Sequence, residues 1–442
     1  MDQERGPGGM RQRSLPAILR PLRHAAYRRL AAGSLVSLFG DGVFLVALPL
    51  QVYAISNIPT AMAVVGAVWT TSQLLMLLVG GWAVDRFERR RIMIAADLLR
   101  GAALLGAGAL SLNGSLELWH FGVVGAVVGA SNAFFNPAMT SIVPDLLPTG
   151  ELARANAFLG VARPAMVRLL GPAAGGLLVG TFGTGPAFLV DAGTFLVSAA
   201  LLSRLPRRTA DIDADAAASP PGSLRTVAEG LRFVRSHRWC WVWLIASAAG
   251  LLAFTGPVDM LLPYVVKNDL GLTQRQAAYF LGAVLAAGGG GSVLMALLVG
   301  QRGIPRRAMT AMYLAQALGI ALLAMYGAMR SLWQGVLAAV LLNAMFTFTD
   351  IVWTTTLQRQ VPRRLLGRVS SLDWMAALGA MPLSFVVAGR LAEVSGAREV
   401  LLAASGVGAG VVLVLMMVPG ARSPEGLEPA AALTPALRDE SR

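Results

Sequence analysis

Asp41 stands between two glycines, Gly40-Asp41-Gly42, in the middle of an apolar stretch covering 29–53. A carboxylate at that depth in a bilayer costs roughly 2.5–3.5 kcal/mol, so such a group faces a cavity or a partner. Arg168 lies near the middle of a second apolar stretch, 157–181, with Arg163 nearer its cytoplasmic end. At about 1.5 Å of rise per residue, Asp41 and Arg168 reach similar depth and can pair. Two chemistries are open to the set Asp41, Arg168 and Arg163. One is a static salt bridge. The other is coupling, in which a carboxylate takes up and releases a proton or meets a substrate.

Further charged groups interrupt other apolar stretches. Asp97 and Arg100 are three residues apart on one helical face, the spacing of a local ion pair. Asp191 suits a structural bond to backbone or polar neighbours. Asp259 precedes Pro263 towards the outer side. Asp350 and Asp373 lie towards the cytoplasm, near Arg359, and form a candidate inner gate. Polar and aromatic residues on the same stretches are candidates for lining a substrate cavity: Phe44, Gln51, Asn132, Asn136, Asn343 and Phe346, together with Asp259. A roomy apolar cavity with a few polar groups suits a large amphipathic molecule.

The elements that must position these residues are long and apolar. A helix needs about 20 apolar residues to cross the hydrocarbon core. Twelve such stretches are present: 29–53, 62–84, 92–112, 119–142, 157–181, 186–203, 239–265, 277–300, 308–328, 332–356, 369–391 and 399–418. Composition agrees, with 55% hydrophobic residues, 14% charged residues and 49 glycines, which let membrane helices pack closely. The expected fold is an all-α membrane protein of 12 transmembrane helices.

The net charge of +13 does not mark a nucleic-acid binder, because the arginines alternate between loops instead of forming one soluble face. They crowd the loops after spans 2, 4, 6, 8 and 10, whereas the opposite loops hold only Lys267, Arg275, Arg330 and Arg398. By the positive-inside rule both tails are cytoplasmic, in a multi-pass protein of the cytoplasmic membrane. Cys240 is the single cysteine, and the three histidines are scattered, so no metal centre is expected. The sequence has no nucleophile–base constellation and no phosphate-binding loop, so neither an enzyme nor an ATP-driven pump is expected.

The chain divides at 205–237, where an acidic stretch and a Ser-Pro-Pro-Gly run precede an amphipathic segment. The expected organisation is a basic cytoplasmic tail (1–28), a six-helix bundle (29–204), a cytoplasmic loop with an amphipathic helix (205–237), a second six-helix bundle (238–420) and a cytoplasmic disordered tail (421–442). Short matches recur at a common spacing. Gly66-Ala67-Val68 returns as Gly282-Ala283-Val284, Arg90-Arg91 as Arg306-Arg307, and Val143-Pro144 as Val361-Pro362. They argue for two parallel repeats with a substrate site between them at mid-membrane.

The loop after span 2 contains Gly81, Asp85, Arg86, Arg89, Arg90 and Arg91, and here the chain resembles the major facilitator superfamily. Glu88 stands where that family usually has glycine, a departure shared by the macrolide-efflux and enterobactin (siderophore) exporter branch of drug–proton antiporters. Span 5 contains Gly171, Pro172, Gly175 and Gly176, similar to the antiporter motif, although Val167 replaces the motif's upstream glycine. Span 4 lacks the arginine common in the superfamily, and Arg163 is a candidate replacement. The resemblance implies two pseudo-repeated six-helix bundles, a cavity lined in part by span 1, and a latch in the span 2–3 loop that closes the cytoplasmic side.

The expectation is a secondary active transporter, a monomer without cofactor. It would export a small amphipathic molecule (a drug, antibiotic or secondary metabolite) by alternating access in exchange for protons, in contact with membrane lipids. A siderophore exporter is the nearest alternative, and a lipid flippase on the same fold is an alternative of another class. Tags placed at either terminus or within 205–237 are expected to be accessible only from the cytoplasm. Labelling of any of them from outside intact cells would refute the arginine argument.

Overall fold

The computed structural model describes residues 17–206 and 224–426. The acidic stretch around Asp211 and most of both tails lie outside the described residues. Twelve helices are long and apolar enough to cross a bilayer, and no strand occurs among the described residues. Helices suit such apolar chain because each satisfies its own backbone where water is absent. All twelve expected spans recur. Spans 5 and 11 begin one to two turns earlier than expected, as Gly150–Phe182 and Arg363–Ser395. Span 5 joins span 6 through Gly183 (φ 88°), and span 11 joins span 12 through Gly396 (φ 100°), left-handed joints at equivalent places in the two halves.

The helices form two bundles with the same packing plan. In the first, span 2 packs on 4, span 3 on 4 and 6, and span 1 on 5 and 6. In the second, span 8 packs on 10, span 9 on 10 and 12, and span 7 on 11 and 12. Each pairing in one half recurs six spans later, so the repeat read from short sequence matches is a repeat of packing. Large apolar side chains such as Phe182, Leu177, Val407 and Val394 stay exposed on the outside of the bundles, a surface suited to lipid. A further helix, Leu224–Ser236, lies against spans 7 and 11, where Glu229 pairs with Arg368.

We call the arginine-rich end of the bundles inner and the opposite end outer. The halves meet where span 2 packs on 11 and span 5 on 8. Glycine decides the second contact. A side chain at Gly176 would stand 2.8 Å from the Cα of Gly282, and one at Gly171 would stand 2.6 Å from the Cα of Gly42. Span 5 therefore presents one bare strip to span 1 of its own half and another to span 8 across the divide.

At the outer end the seal is polar and aromatic. Tyr53 donates to the carbonyl of Met260 at 2.9 Å and packs edge-on against Tyr264. Lys267 donates to the carbonyl of Tyr53, Asn57 to Asn268 at 2.7 Å, and Thr60 to Glu393. Among the described residues, hydrogen bonds join the two bundles at the outer end and at mid-depth. The outer end is thus held closed by contacts between the two halves.

The glycine seam yields a test. Gly176→Leu is expected to hold spans 5 and 8 apart and favour the outward-open arrangement. A cysteine introduced at Tyr53 should then react several-fold faster with an impermeant thiol reagent added outside. Unchanged labelling in a well-folded variant would show that the seam does not control outer closure.

Candidate functional site

The in-span charges of the first bundle gather around Arg100. Its guanidinium pairs with Asp97 and donates to Asn132 at 3.0 Å. It lies over the rings of Phe135 and Phe195, 4.7 and 4.3 Å from their centroids. Both members of the ion pair are sealed from solvent, with 0% exposure for Asp97 and 3% for Arg100. Asp191 on span 6 is also buried; Thr194 donates to its backbone carbonyl at 2.7 Å, while its Oδ2 has no hydrogen-bond partner among the described residues. Gly40 makes room for that group, since a side chain there would collide with Asp191 and Thr194. Asp41, next along span 1, is half-buried and within electrostatic reach of Arg100, Asp97 and Arg163. Three carboxylates and one fully buried arginine thus share one neighbourhood. The spacing Asp97-x-x-Arg100 foretold their pair, but not that this arginine organises the bundle.

The expected pairing of Asp41 with Arg168 does not occur. Arg168 turns to the other half and donates to Oδ1 of Asn343 on span 10 at 3.3 Å. It is also within electrostatic reach of Asp259 and Asp350. Equal depth on adjacent helices fixes height, not direction. Span 5 passes through a π-helical turn at Ala165–Leu170, just before Pro172. Proline cannot donate to the carbonyl four residues back, which here belongs to Arg168, and the helix widens. A π-turn holds more residues than an α-turn, so a face projected at ordinary helical spacing drifts across it. Span 7 repeats the arrangement: the π-turn Pro257–Leu261 holds Asp259, four residues before Pro263. An Arg or Asp four residues ahead of an in-span proline was the available sequence signal for this pair.

The remaining candidates separate into groups. Asn343 accepts from Arg168 across the divide between the bundles, and Phe346 packs tilted against Phe254 with 4.5 Å between ring centroids. Asn136 is exposed, one turn beyond Asn132, which is bonded to Arg100. Phe44 belongs to the packed interior, between Trp69 and Phe188, and its apolar contacts leave it no cavity face. Gln51 accepts a bond from Thr184 on span 6, within its own bundle. Asp373 accepts from the indole of Trp353 at 3.1 Å and is within electrostatic reach of Asp350. Arg359 does not join those two acids. It lines a separate cleft with Arg306, Gln360 and Glu425, because nine helical residues carry it about 13 Å beyond Asp350.

In the loop after span 2, Arg89 pairs with Asp145 at 2.5 Å and Arg90 donates to the carbonyl of Leu202 at 3.0 Å. Glu88 pairs with Arg91 at 2.7 Å, which gives this departure from glycine a local role. Arg86 lies over the ring of Trp82, 5.0 Å from its centroid. These contacts tie the loop to its own half. The side chain of Asp85 lies outside the described residues, and Gly81 has open space beside it. Gly171 and Gly175 fit against span 1, Gly176 against span 8, and Pro172 follows the π-turn.

Comparison with known proteins places this arrangement. The family model for the Major Facilitator Superfamily matches residues 30–384. The multidrug efflux pump Tap of Mycobacterium tuberculosis (strain ATCC 25618 / H37Rv) is 29% identical over 391 residues, covering 84% of this chain and 88% of that protein. The enterobactin exporter EntS of Escherichia coli O81 (strain ED1a) is 27% identical over 362 residues, covering 80% and 82%. Among solved structures, a bacterial homologue of the iron transporter ferroportin in an inward-facing state aligns with a TM-score of 0.66 at 17% identity, covering 89% of this chain and 99% of that one. At that identity the likeness concerns the fold.

The buried pair generates its own prediction. Arg100→Ala leaves Asp97 unpaired in a site without water, a loss of about 3–5 kcal/mol for a buried ion pair. The variant should show a markedly lower unfolding temperature in detergent than wild type, and Asp97→Asn/Arg100→Gln should recover part of the loss. Wild-type thermal stability of Arg100→Ala would show that the pair does not hold the bundle together.

Proposed function

Because the chain belongs to the Major Facilitator Superfamily, we propose that it exports a small amphipathic molecule, a drug or a secondary metabolite, across the cytoplasmic membrane in exchange for protons. One observation carries this reading: Asp41 lies at the edge of a group of three carboxylates around one buried arginine, with Arg163 also within reach of Asp41, in a transporter closed at its outer end. With all three ionised, that neighbourhood would carry excess negative charge where charge is costly, so a bound proton relieves it. Asp41 is the member with exposed surface, and it exchanges the proton with the cleft.

In this mechanism the two bundles, 29–204 and 238–420, rock about the seams of spans 2 with 11 and 5 with 8. Substrate enters the inward-facing cleft, the outer contacts of Tyr53, Asn57 and Thr60 part, and the span 2–3 loop with Asp85 closes the inner side. A proton arriving from outside then resets the carrier. Both tails are cytoplasmic and the protein works as a monomer, without cofactor and without enzymatic chemistry. The likeness to the efflux pump Tap supports drug export. Siderophore export is the second reading, favoured by the similarity to EntS and by the exposed Arg163 and Arg168.

The test uses proteoliposomes with an imposed proton gradient and a panel of fluorescent drugs. Wild-type protein should accumulate a substrate against its gradient, and a protonophore should abolish accumulation. Asp41→Asn should lose at least about 90% of gradient-driven accumulation, a barrier increase of about 1.4 kcal/mol or more, while still binding substrate. Gradient dependence in Asp41→Asn equal to wild type would remove this residue from coupling.

A further inference from the structure

Arg168, on the first bundle, reaches towards the acids of the second. It reaches Asn343 at 3.3 Å and is within electrostatic reach of Asp259 and of Asp350. The two acids differ in depth. Asp259 lies ten residues from the outer end of span 7, and Asp350 lies ten residues from the inner end of span 10. Both retain exposed surface, as does Arg168. Counted along spans 7 and 10, Phe254 and Phe346 lie at depths between those of the two acids, and their rings are tilted against each other.

This set is built for a cation with an apolar body. Carboxylates and aromatic faces both attract positive charge, the more strongly where water is scarce. The guanidinium already there is such a cation: planar, weakly hydrated and carried on an apolar stem. It arrives from the opposite bundle, on a π-turn followed by Pro172, which leaves the Arg168 carbonyl without its usual donor. A π-turn in a helix often marks a functional site, and Asp259 sits on another one.

We propose that Arg168 is a tethered occupant of the substrate's cation site: an organic cation with an aromatic body binds between Asp259 and Asp350, against Phe254 and Phe346, by displacing the Arg168 guanidinium. The proposal rests on the export reading above and specifies its substrate class. Displacement removes the mid-depth bond between the halves, so binding itself loosens the inward-facing arrangement. In the free carrier the arginine's single positive charge offsets part of the negative charge of the two acids.

The experiment measures equilibrium binding of tetraphenylphosphonium to the purified full-length protein in lipid nanodiscs, with no proton gradient. Wild type should bind the probe. Asp350→Asn and Asp259→Asn should each weaken binding at least tenfold, and Asp350→Glu and Asp259→Glu should restore most of it, which separates charge from folding. Arg168→Ala should tighten binding several-fold, because the internal competitor is gone. Weaker or unchanged binding by a folded Arg168→Ala would overturn the proposal, and so would affinity unaffected by either Asp→Asn change. No binding by wild type would also overturn it. Since no gradient is present, an error in the proton-exchange reading leaves this result untouched. Gradient-driven export of an anionic substrate, with no cation binding, would retain the export reading and reject this inference alone.

Discussion

A charge inside a bilayer must find a partner, and that constraint organises this molecule. Arg100 is buried with Asp97 and Asn132 between two aromatic rings, and spans 3, 4 and 6 are fixed around it. Arg168 finds its partners across the divide between the bundles. The arginines of the span 2–3 loop find theirs at the inner ends of spans 4 and 6. The first arrangement is internal to a bundle. The second is shared between the two bundles.

Close backbone approach is the second organising feature. With hydrocarbon on the outside there is little hydrophobic drive to press helices together, so packing at short range has to supply the attraction. Gly42 against Gly171 and Gly176 against Gly282 bring span 5 against two helices from different bundles. Span 5 thereby touches both halves, and its regular helix is interrupted by a π-turn and Pro172.

The sequence was most legible where one physical rule acts alone. Apolar length located all twelve spans, and the recurring short motifs announced a repeat that the packing obeys helix by helix. The spacing of Asp97 and Arg100 gave their pair. Azimuth was not legible. Depth counting placed Asp41 beside Arg168, but the π-turn changes the face that Arg168 presents, and a hydrophobic pattern at α-helical spacing does not register it. Phe44 was misjudged for a related reason: aromatic residues serve packing and cavities alike, and only its neighbours Trp69 and Phe188 decide between them. Arg359 shared a stretch of sequence with Asp350 but not a site, because a helix of that length separates its two ends.

The outer seal has a thermodynamic consequence. Its bonds are few: a tyrosine hydroxyl, a lysine, two asparagines facing each other, and a threonine on a glutamate. A net hydrogen bond of this kind contributes about 0.5–1.5 kcal/mol. Opening therefore costs several kcal/mol, partly recovered as water takes over each group. A shift of about 5.5 kcal/mol is enough to turn a 1:99 population into 99:1. One bound molecule or one proton can supply energy on that scale. A plug held by large apolar contact alone would offer water nothing to take over; a clasp of a few polar bonds does.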